Sequence, residues 1–258
     1  MREEFFTQTE WQGIKFSDLG VPLDPVEPAS PEFYEAFYRQ LIETFPVLEE
    51  LPESWRASKR ETAEAIAKFV NSDDRLLSYG AGLGYVEQCL VNEHGLHHVS
   101  VCDVAPAARH FDPEELLTLI NTSTNSQKGE EFDVIIMVQV LYALERTDAI
   151  KVLQNLKQMI APGGQLILFN TSPTFVENGE VDTRSQPARL RAAARNIPVL
   201  RKLVRRLLRE RLGPKQGQGQ GWGWARDNEC VRIILNDAGI DSLKFFAVAG
   251  QSVVVASV

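Results

Sequence analysis

Short apolar runs alternate with helical patterns through the middle of the chain, and this order predicts an α/β domain. Near the C-terminus, residues 228–240 follow a helical pattern that ends at a glycine. Two strand-like runs come next, 242–249 and 251–258, and they are joined by so few residues that they must form an antiparallel hairpin. The remaining strand candidates are residues 76–77, 99–102, 116–121, a run that begins at Phe132, and 165–170.

The helices between these runs are predicted from apolar spacing and from end signals. Ser58-x-x-Glu61 has the pattern of a capping box, in which serine and glutamate satisfy backbone amides at the start of a helix. An apolar stripe continues from there to Val70. A further helix is predicted over about 147–160, where Pro162-Gly163-Gly164 ends it and turns the chain into the fifth strand.

The first 56 residues predict an arm followed by a helix. Residues 1–29 are polar and proline-rich near their end, which is typical of irregular structure. Ser30-Pro31-Glu32 predicts a helix start, because serine caps the first amides and proline fits the first turn. The helix then has an unusually aromatic face. That face either packs on the core or forms a lid over a substrate, with Tyr34 and Tyr38 as the lid candidates.

A cluster of glycines and one acid carry the clearest chemistry. Gly80-Ala-Gly82-Leu-Gly84 follows the first apolar run, and Asp103 ends the second. Glycines at a strand-to-helix turn let a ligand approach the backbone, and an acid at the next strand end can hold a ribose diol. A dinucleotide motif, G-x-G-x-x-G, would need a glycine where this chain has Tyr85. The spacing therefore predicts a nucleoside site of another kind.

This G-x-G-x-G pattern with its acid resembles motif I and the following acid of the class I S-adenosylmethionine-dependent methyltransferases. Residues 132–144, "FDVIIMVQVLYAL", are similar to the family's fourth strand and the helix after it, and residues 156–170 to its helix, turn and fifth strand. The resemblance covers about 57–171 and 226–258. It implies a three-layer Rossmann-like fold with a seven-stranded sheet in which only the last strand is antiparallel. Residues 57–258 would form the methyltransferase domain, after an N-terminal arm and helix over 1–56.

The resemblance also implies a cofactor, S-adenosylmethionine, with S-adenosylhomocysteine as its product. Asp103 would hold the ribose, and the glycine loop would lie against the methionine part. Where the family usually has an acid that helps to hold the cofactor's amino group, this chain has Ser78. The full set of candidate cofactor residues is Ser78, Tyr79, Gly80, Ala81, Gly82, Gly84, Asp103, Val104, Asn121, Thr122 and Gln139.

Catalytic candidates are few, because methyl transfer from a sulfonium needs alignment and exclusion of water more than a dedicated base. Many relatives have a histidine after the fourth strand, but this chain has Tyr142 there, a weak base at its ordinary pKa. His110 is the one histidine expected near the site, and a surface position is the alternative. Cysteines and histidines between 89 and 102 are not expected to converge, so no metal is predicted.

Charge is unevenly distributed along the 258 residues, whose formal net charge is −8. Residues 184–215 contain eleven basic residues and one acid, a net of +10, which leaves −18 for the remainder. Such a segment attracts anions. Three cysteines without paired spacing predict a reducing compartment, and the N-terminus does not resemble a signal peptide, so a cytoplasmic location is expected.

The basic residues belong to an insertion predicted at 172–225, between the fifth strand and the last helix. It contains a basic amphipathic helix with Arg201 and Arg205 on its polar face. Glycines around Trp222 and Trp224 suggest a flexible hinge. These two tryptophans, with Arg201 and Arg205, are candidate substrate or lid residues. The helix could pack on the core, close over the active site, or contact a membrane surface through 198–212. Nucleic acid is disfavoured, because aromatic residues do not interleave with the basic ones.

Together these observations predict an S-adenosylmethionine-dependent methyltransferase that acts on a small or glycan-linked, anionic acceptor, at oxygen rather than carbon. Two alternatives remain open. The chain could be a non-catalytic relative that uses the fold as a binding or scaffold module, or a methyltransferase acting on RNA or protein.

Overall fold

A seven-stranded sheet forms the centre of the structure, a computed structural model that describes residues 3–105, 107, 110–112, 116–120, 131–170, 219–248 and 251–258. The helices of eight or more residues are α1 (Pro31–Thr44), α2 (Glu53–Ala67), α3 (Tyr85–His94), α4 (Arg146–Lys157) and α5 (Asn228–Asp237). The strands are β1 (Glu3–Gln8), β2 (Glu10–Trp11), β3 (Ile14–Lys15), β4 (Arg75–Tyr79), β5 (His98–Cys102), β6 (Thr118–Leu119), β7 (Phe132–Val138), β8 (Ile160–Asn170), β9 (Gln220–Arg226), β10 (Ser242–Val248) and β11 (Gln251–Ser257).

The sheet has the strand order β10-β11-β8-β7-β4-β5-β6. Strands β8, β7, β4, β5 and β6 are parallel neighbours, whereas β11 pairs antiparallel with both β8 and β10. Because β11 is reversed relative to both neighbours, β10 runs in the same direction as the other strands. The predicted fold, with only the last strand antiparallel, is therefore confirmed.

Helices cover both faces of this sheet, which makes three layers. On one face, α4 and α5 bury Leu153 and Ile234 against β7 and β8. On the other face, α2 and α3 bury Ile66 and Leu90 against β4 and β5. The central strands are apolar on both sides for this reason, as is typical of parallel sheets.

The chain reverses its direction of travel across the sheet at β4. From β4 it proceeds to β5 and β6 on one side, and it then returns to β7 on the other side. In open α/β sheets, ligands bind in the crevice beyond the carboxyl ends of the strands at such a switch point. The crevice between the ends of β4 and β7 is therefore the expected site.

The N-terminal residues and the glycine-rich run pair with each other, which corrects two predictions. Strand β1 pairs antiparallel with β9, so residues 3–8 are not irregular, and Gly221 and Gly223 belong to a strand rather than to a flexible hinge. A Cβ atom at Gly221 would collide with the carbonyl oxygen of Glu27, and one at Gly223 with that of Tyr142. Glycine is needed here for close backbone packing rather than for flexibility.

The predicted helix starts are right at α1 and wrong at α2. Ser30 Oγ accepts a 3.3 Å hydrogen bond from Phe33 N, as an N-cap should. Helix α2 begins at Glu53, and the carbonyl oxygen of Ser58 accepts a 3.0 Å hydrogen bond from Thr62 Oγ1 within the helix. The capping-box interpretation was therefore wrong.

The third strand is shorter than predicted, covering two residues of the expected 116–121. The carboxylate of Asp112 accepts hydrogen bonds from the amides of Leu116 and Leu117, at 2.9 and 2.8 Å. Those amides are therefore not available to a neighbouring strand. Strand β8 begins at Ile160, so Pro162-Gly163-Gly164 lies within the strand rather than before it.

Candidate cofactor and acceptor site

The glycine loop lies at the end of β4 and is fixed to the end of β5. The amides of Gly80 and Ala81 donate to the carbonyl oxygen of Cys102, at 2.8 and 3.2 Å. Gly80, Gly82 and Gly84 all have positive φ, a conformation that side chains other than glycine rarely adopt. Gly84 is also the N-cap of α3, so the loop ends at the amino end of that helix.

Asp103 joins the loop to the second strand, as the sequence predicts. Its Oδ2 accepts a 2.8 Å hydrogen bond from Gly82 N, and its Oδ1 accepts one of 3.0 Å from Ala105 N. Burial raises the pKa of Asp103, and these backbone hydrogen bonds act in the opposite direction. The glycines and the acid predicted to bind one nucleoside are thus in direct contact.

A cleft of about 150 Å³ opens beside this loop. This volume is below the range of about 300–1,000 Å³ typical of ligand pockets. Aromatic side chains of α1 account for part of the difference, because the hydroxyl of Tyr38 is 3.1 Å from the position of a Cβ built on Gly82. The predicted residues that line the cleft are Tyr34, Tyr38, Gly80, Ala81, Gly82, Gln139, Tyr142 and Trp222.

Gln139 closes the cleft at the end of β7, with a φ of 54°. A positive φ at a residue other than glycine is strained and is concentrated at functional sites. Its side chain amide accepts a 2.7 Å hydrogen bond from Lys59 Nζ and donates one of 3.3 Å to Gln251 Oε1. The amide therefore links α2, β7 and β11 at the predicted switch point.

Lys59 and Glu87 line the same cleft and were not predicted from the sequence. Burial lowers the pKa of Lys59 to about 8, and the charge of Glu87 acts in the opposite direction. Burial raises the pKa of Glu87, which the hydrogen bond from Ser78 and the charge of Lys59 oppose. A signal was present in the sequence: Glu87 lies three residues after Gly84, on the apolar side of a helix. Its burial depends on tertiary packing, which no local pattern reports.

An aromatic wall, formed by Tyr34, Tyr38, Tyr142 and Trp222, lines part of the cleft. Trp222 packs 5.1 Å from Phe16, centroid to centroid, and 6.3 Å from Tyr142. The rings of Tyr34 and Tyr38 lie 6.2 Å apart. Burial raises the pKa of Tyr142 to about 12. That direction opposes proton abstraction at neutral pH and favours a hydrogen-bonding role for the phenol.

Other predicted site residues lie apart from the cleft lining. His110 is exposed, and its Nε2 lies 3.3 Å from the carbonyl oxygen of Pro46, a position that does not support a catalytic role. Val104 is also exposed. Trp224 packs against Phe5, at 4.9 Å between ring centroids.

Two further predicted residues, Ser78 and Tyr79, lie in the last part of β4, and Ser78 is buried beneath the cleft. Asn121, Thr122, Arg201 and Arg205 lie outside the described residues. Within the described residues, no group of three or more His, Cys, Asp or Glu side chains is placed to hold a metal ion.

A family model described as a methyltransferase domain matches residues 48–233, which is more than half of the chain. The chain belongs to this family. Membership confirms the resemblance to class I methyltransferases that the glycine motif suggested. The matched range includes the glycine loop, Asp103, Gln139 and Trp222.

Solved structures with the same fold include two methyltransferases and one protein of an O-methyltransferase family. The Burkholderia thailandensis 1,6-didemethyltoxoflavin-N1-methyltransferase, with 1,6-didemethyltoxoflavin and S-adenosylhomocysteine bound, is 15% identical, with a TM-score of 0.54, covering 91% of this chain and 94% of that one. An O-methyltransferase family protein from the same organism is 14% identical (TM-score 0.51; 88% and 59%). Human N-acetylserotonin methyltransferase, in complex with S-adenosylmethionine, is 18% identical (TM-score 0.50; 88% and 56%).

The chain spans less than two thirds of the length of the O-methyltransferase family protein and of the human enzyme. At these identities the similarity establishes the fold. No curated protein sequence matches the chain. None of the described helices has the length and apolar character needed to cross a membrane.

Proposed function

We propose that the chain transfers the methyl group of S-adenosylmethionine to an oxygen atom of a small, anionic acceptor. The contact between Gly82 N and Asp103 Oδ2, beside a cleft at the switch point of the sheet, is the observation that carries the proposal. This contact places the glycine loop, whose backbone a ligand can approach closely, beside an acid that can hold a ribose diol. A nucleoside cofactor requires both.

The aromatic wall supports a small acceptor. Tyr34, Tyr142 and Trp222 provide flat apolar surface and polar edges, which suits a planar organic molecule better than a polymer. The didemethyltoxoflavin enzyme, whose fold this chain shares, was solved with 1,6-didemethyltoxoflavin bound. The anionic character of the acceptor is proposed from the basic residues of 184–215.

The chemistry asks little of individual side chains. S-adenosylmethionine would supply an activated methyl group. The acceptor oxygen would attack the methyl carbon in line with the departing sulfur, so that the carbon–oxygen bond forms as the carbon–sulfur bond breaks, S-adenosylhomocysteine leaves, and the proton of an acceptor hydroxyl passes to solvent. The loop at Gly80–Gly82 and the amide of Gln139 would hold the cofactor, while Tyr34 and Tyr142 would orient the acceptor oxygen. The aromatic rings around the cleft exclude water, which is the main contribution this protein can make to such a displacement.

Isothermal titration calorimetry with S-adenosylhomocysteine tests the cofactor part of the proposal. We expect the parent protein to bind. Asp103→Ala should lose about 100-fold or more in affinity, because the two ribose hydroxyls of the ligand would lose their hydrogen bonds to the carboxylate, which are worth about 1.5–3 kcal/mol each. Asp148→Ala, an exposed position on α4, is the matched control and should bind like the parent. A parent protein that does not bind, or an Asp103→Ala variant equal to it, would contradict the proposal.

A further inference from the structure

Glu87 is a buried acid in the wall of the cleft, and its two carboxylate oxygens differ in their contacts. Its Oε1 accepts a 2.5 Å hydrogen bond from Ser78 Oγ. Its Oε2 is buried without a hydrogen-bond partner among the described residues. Such an oxygen costs about 1–3 kcal/mol, and more when it is charged. A donor group on a ligand in the cleft would satisfy this oxygen.

This acid lies beside the position where the family's own acid is absent. Ser78 precedes Gly80 by two residues, which is where the resembled methyltransferases carry an acid for the cofactor's amino group. In this chain the serine is buried and donates its hydroxyl hydrogen to Glu87. The carboxylate of Glu87 therefore lies at the same end of β4 as Ser78. It belongs to α3, the helix that follows the glycine loop in the sequence.

Lys59 adds a second charge to the same cleft from α2. Its Nζ donates to Gln139 Oε1 at 2.7 Å, and an ammonium group has two further hydrogens to donate. The partner of Lys59 in the described structure is thus an amide rather than a carboxylate. The charge of Lys59 lowers the pKa of Glu87 and that of Glu87 raises the pKa of Lys59, so the two lie within electrostatic reach.

We propose that Glu87 and Lys59 together bind the amino-acid head of S-adenosylmethionine. Glu87 accepts from the α-ammonium group, and Lys59 donates to the carboxylate. The head is a zwitterion, so one acid and one base in a water-poor cleft match both of its charges, and each charge-assisted hydrogen bond is strengthened by burial. The inference rests on the proposed function, because it requires this cofactor in this cleft.

Calorimetry with four ligands measures the contact of Glu87 with the α-ammonium group separately from that of Lys59 with the carboxylate. They are S-adenosylhomocysteine, its analogue without the α-amino group, its analogue without the carboxylate, and 5′-methylthioadenosine, which lacks the whole head. Each is titrated into the parent, Glu87→Gln and Lys59→Gln. Glu93→Gln, an exposed acid on the same helix, is the matched control.

We expect each variant to lose affinity only for ligands that carry the group it binds. Glu87→Gln should bind S-adenosylhomocysteine at least about tenfold more weakly, the amount that one charge-assisted hydrogen bond provides, while its affinity for the deaminated analogue stays within about twofold. Lys59→Gln should show the same pattern with the decarboxylated analogue. Binding of 5′-methylthioadenosine should be unchanged in both variants and in Glu93→Gln.

Two different failures can be told apart. If the parent binds neither S-adenosylhomocysteine nor 5′-methylthioadenosine, the proposed function fails. If the parent binds both but Glu87→Gln affects all four ligands equally or none, Glu87 is only a structural partner of Ser78 and the inference is overturned.

A double variant that moves the carboxylate from position 87 to position 78 tests the inference even if Glu87→Gln alters folding. Adding Ser78→Asp to Glu87→Gln returns a carboxylate to the strand position that the family uses. We expect this double variant to recover about tenfold in affinity for S-adenosylhomocysteine and nothing for the deaminated analogue. Recovery for both ligands, or for neither in a protein whose unfolding matches the parent, would contradict the inference.

Discussion

At the scale of single residues, the motif positions were predictable and the charged residues around them were not. Gly80, Gly82 and Asp103 follow from spacing, because a tight turn and a strand-end acid leave a local signature. Lys59 and Glu87 sit inside helices with ordinary amphipathic patterns. Whether such a side chain is buried depends on which elements pack against its helix, and that information is spread over the whole chain.

The pKa of Lys59 predicts a pH dependence of cofactor binding. Burial lowers this pKa to about 8 in the free protein, and a bound carboxylate would raise it again. Above pH 8, binding must therefore take up a proton, and affinity should fall by up to about tenfold per pH unit. Below about pH 7 this group is protonated in both states and contributes no slope.

Calorimetry with S-adenosylhomocysteine between pH 6.5 and about 9.5 measures this dependence. Lys59→Gln is the control, since the ligand's own amino group titrates with either protein and only the parent contains the lysine. Glu87 is the charged protein group that acts on Lys59, and burial raises its own pKa. Equal slopes for the two proteins above pH 8 would contradict the role of Lys59.

At the scale of elements, the central sheet was predictable and the β1–β9 pair was not. Apolar runs and a terminal hairpin specify the sheet locally. The pairing of Glu3 with Arg226 joins residues 223 positions apart in the chain, and the glycines of β9 resemble a linker in sequence. Glycine is required at these positions because the backbone of Glu27 packs against Gly221 and that of Tyr142 against Gly223.

Arg226 is buried at the end of this strand pair, opposite Glu3. Its guanidinium donates to the carbonyl oxygens of Leu141 and Leu144 and forms a 3.2 Å ion pair with Glu3. These bonds hold the short 3-10 helix that carries Tyr142 against β9. The strand pair therefore supports the aromatic wall as well as the fold.

Arg226→Met should lower the free energy of unfolding by about 3–5 kcal/mol, because it breaks a buried ion pair with Glu3 and removes the donor to two backbone carbonyl oxygens. Arg232→Met is the control, since its ion pair with Glu229 is exposed and should be worth about 1 kcal/mol or less. Urea denaturation followed by circular dichroism measures both. A cost for Arg226→Met no larger than that of the control would show that the buried pair does not stabilise the fold.

At the scale of the whole molecule, charge is segregated: a segment of +10 is carried by a protein whose remainder is −18. The described cleft itself contains one base, Lys59, and one acid, Glu87. Any preference for an anionic acceptor must therefore come from a long-range field or from residues of 184–215. Both effects weaken as salt is added, because exposed charges are screened over about 10 Å at 0.1 M ionic strength.

Paired small phenols, each as a carboxylate and as its neutral amide, provide the test. With radiolabelled S-adenosylmethionine, we expect the parent to favour the carboxylates in kcat/KM by about tenfold at low salt, with the preference falling towards unity at about 0.5 M. Arg201→Gln with Arg205→Gln should reduce the preference several-fold at low salt. Lys151→Gln with Arg232→Gln removes the same amount of charge from exposed positions on α4 and α5, and this control should retain the preference for carboxylates.

Two outcomes would contradict this prediction. If both double variants lose the preference equally, the net charge of the protein rather than the basic segment sets it. If the parent shows no preference for carboxylates over amides, the anionic acceptor is excluded.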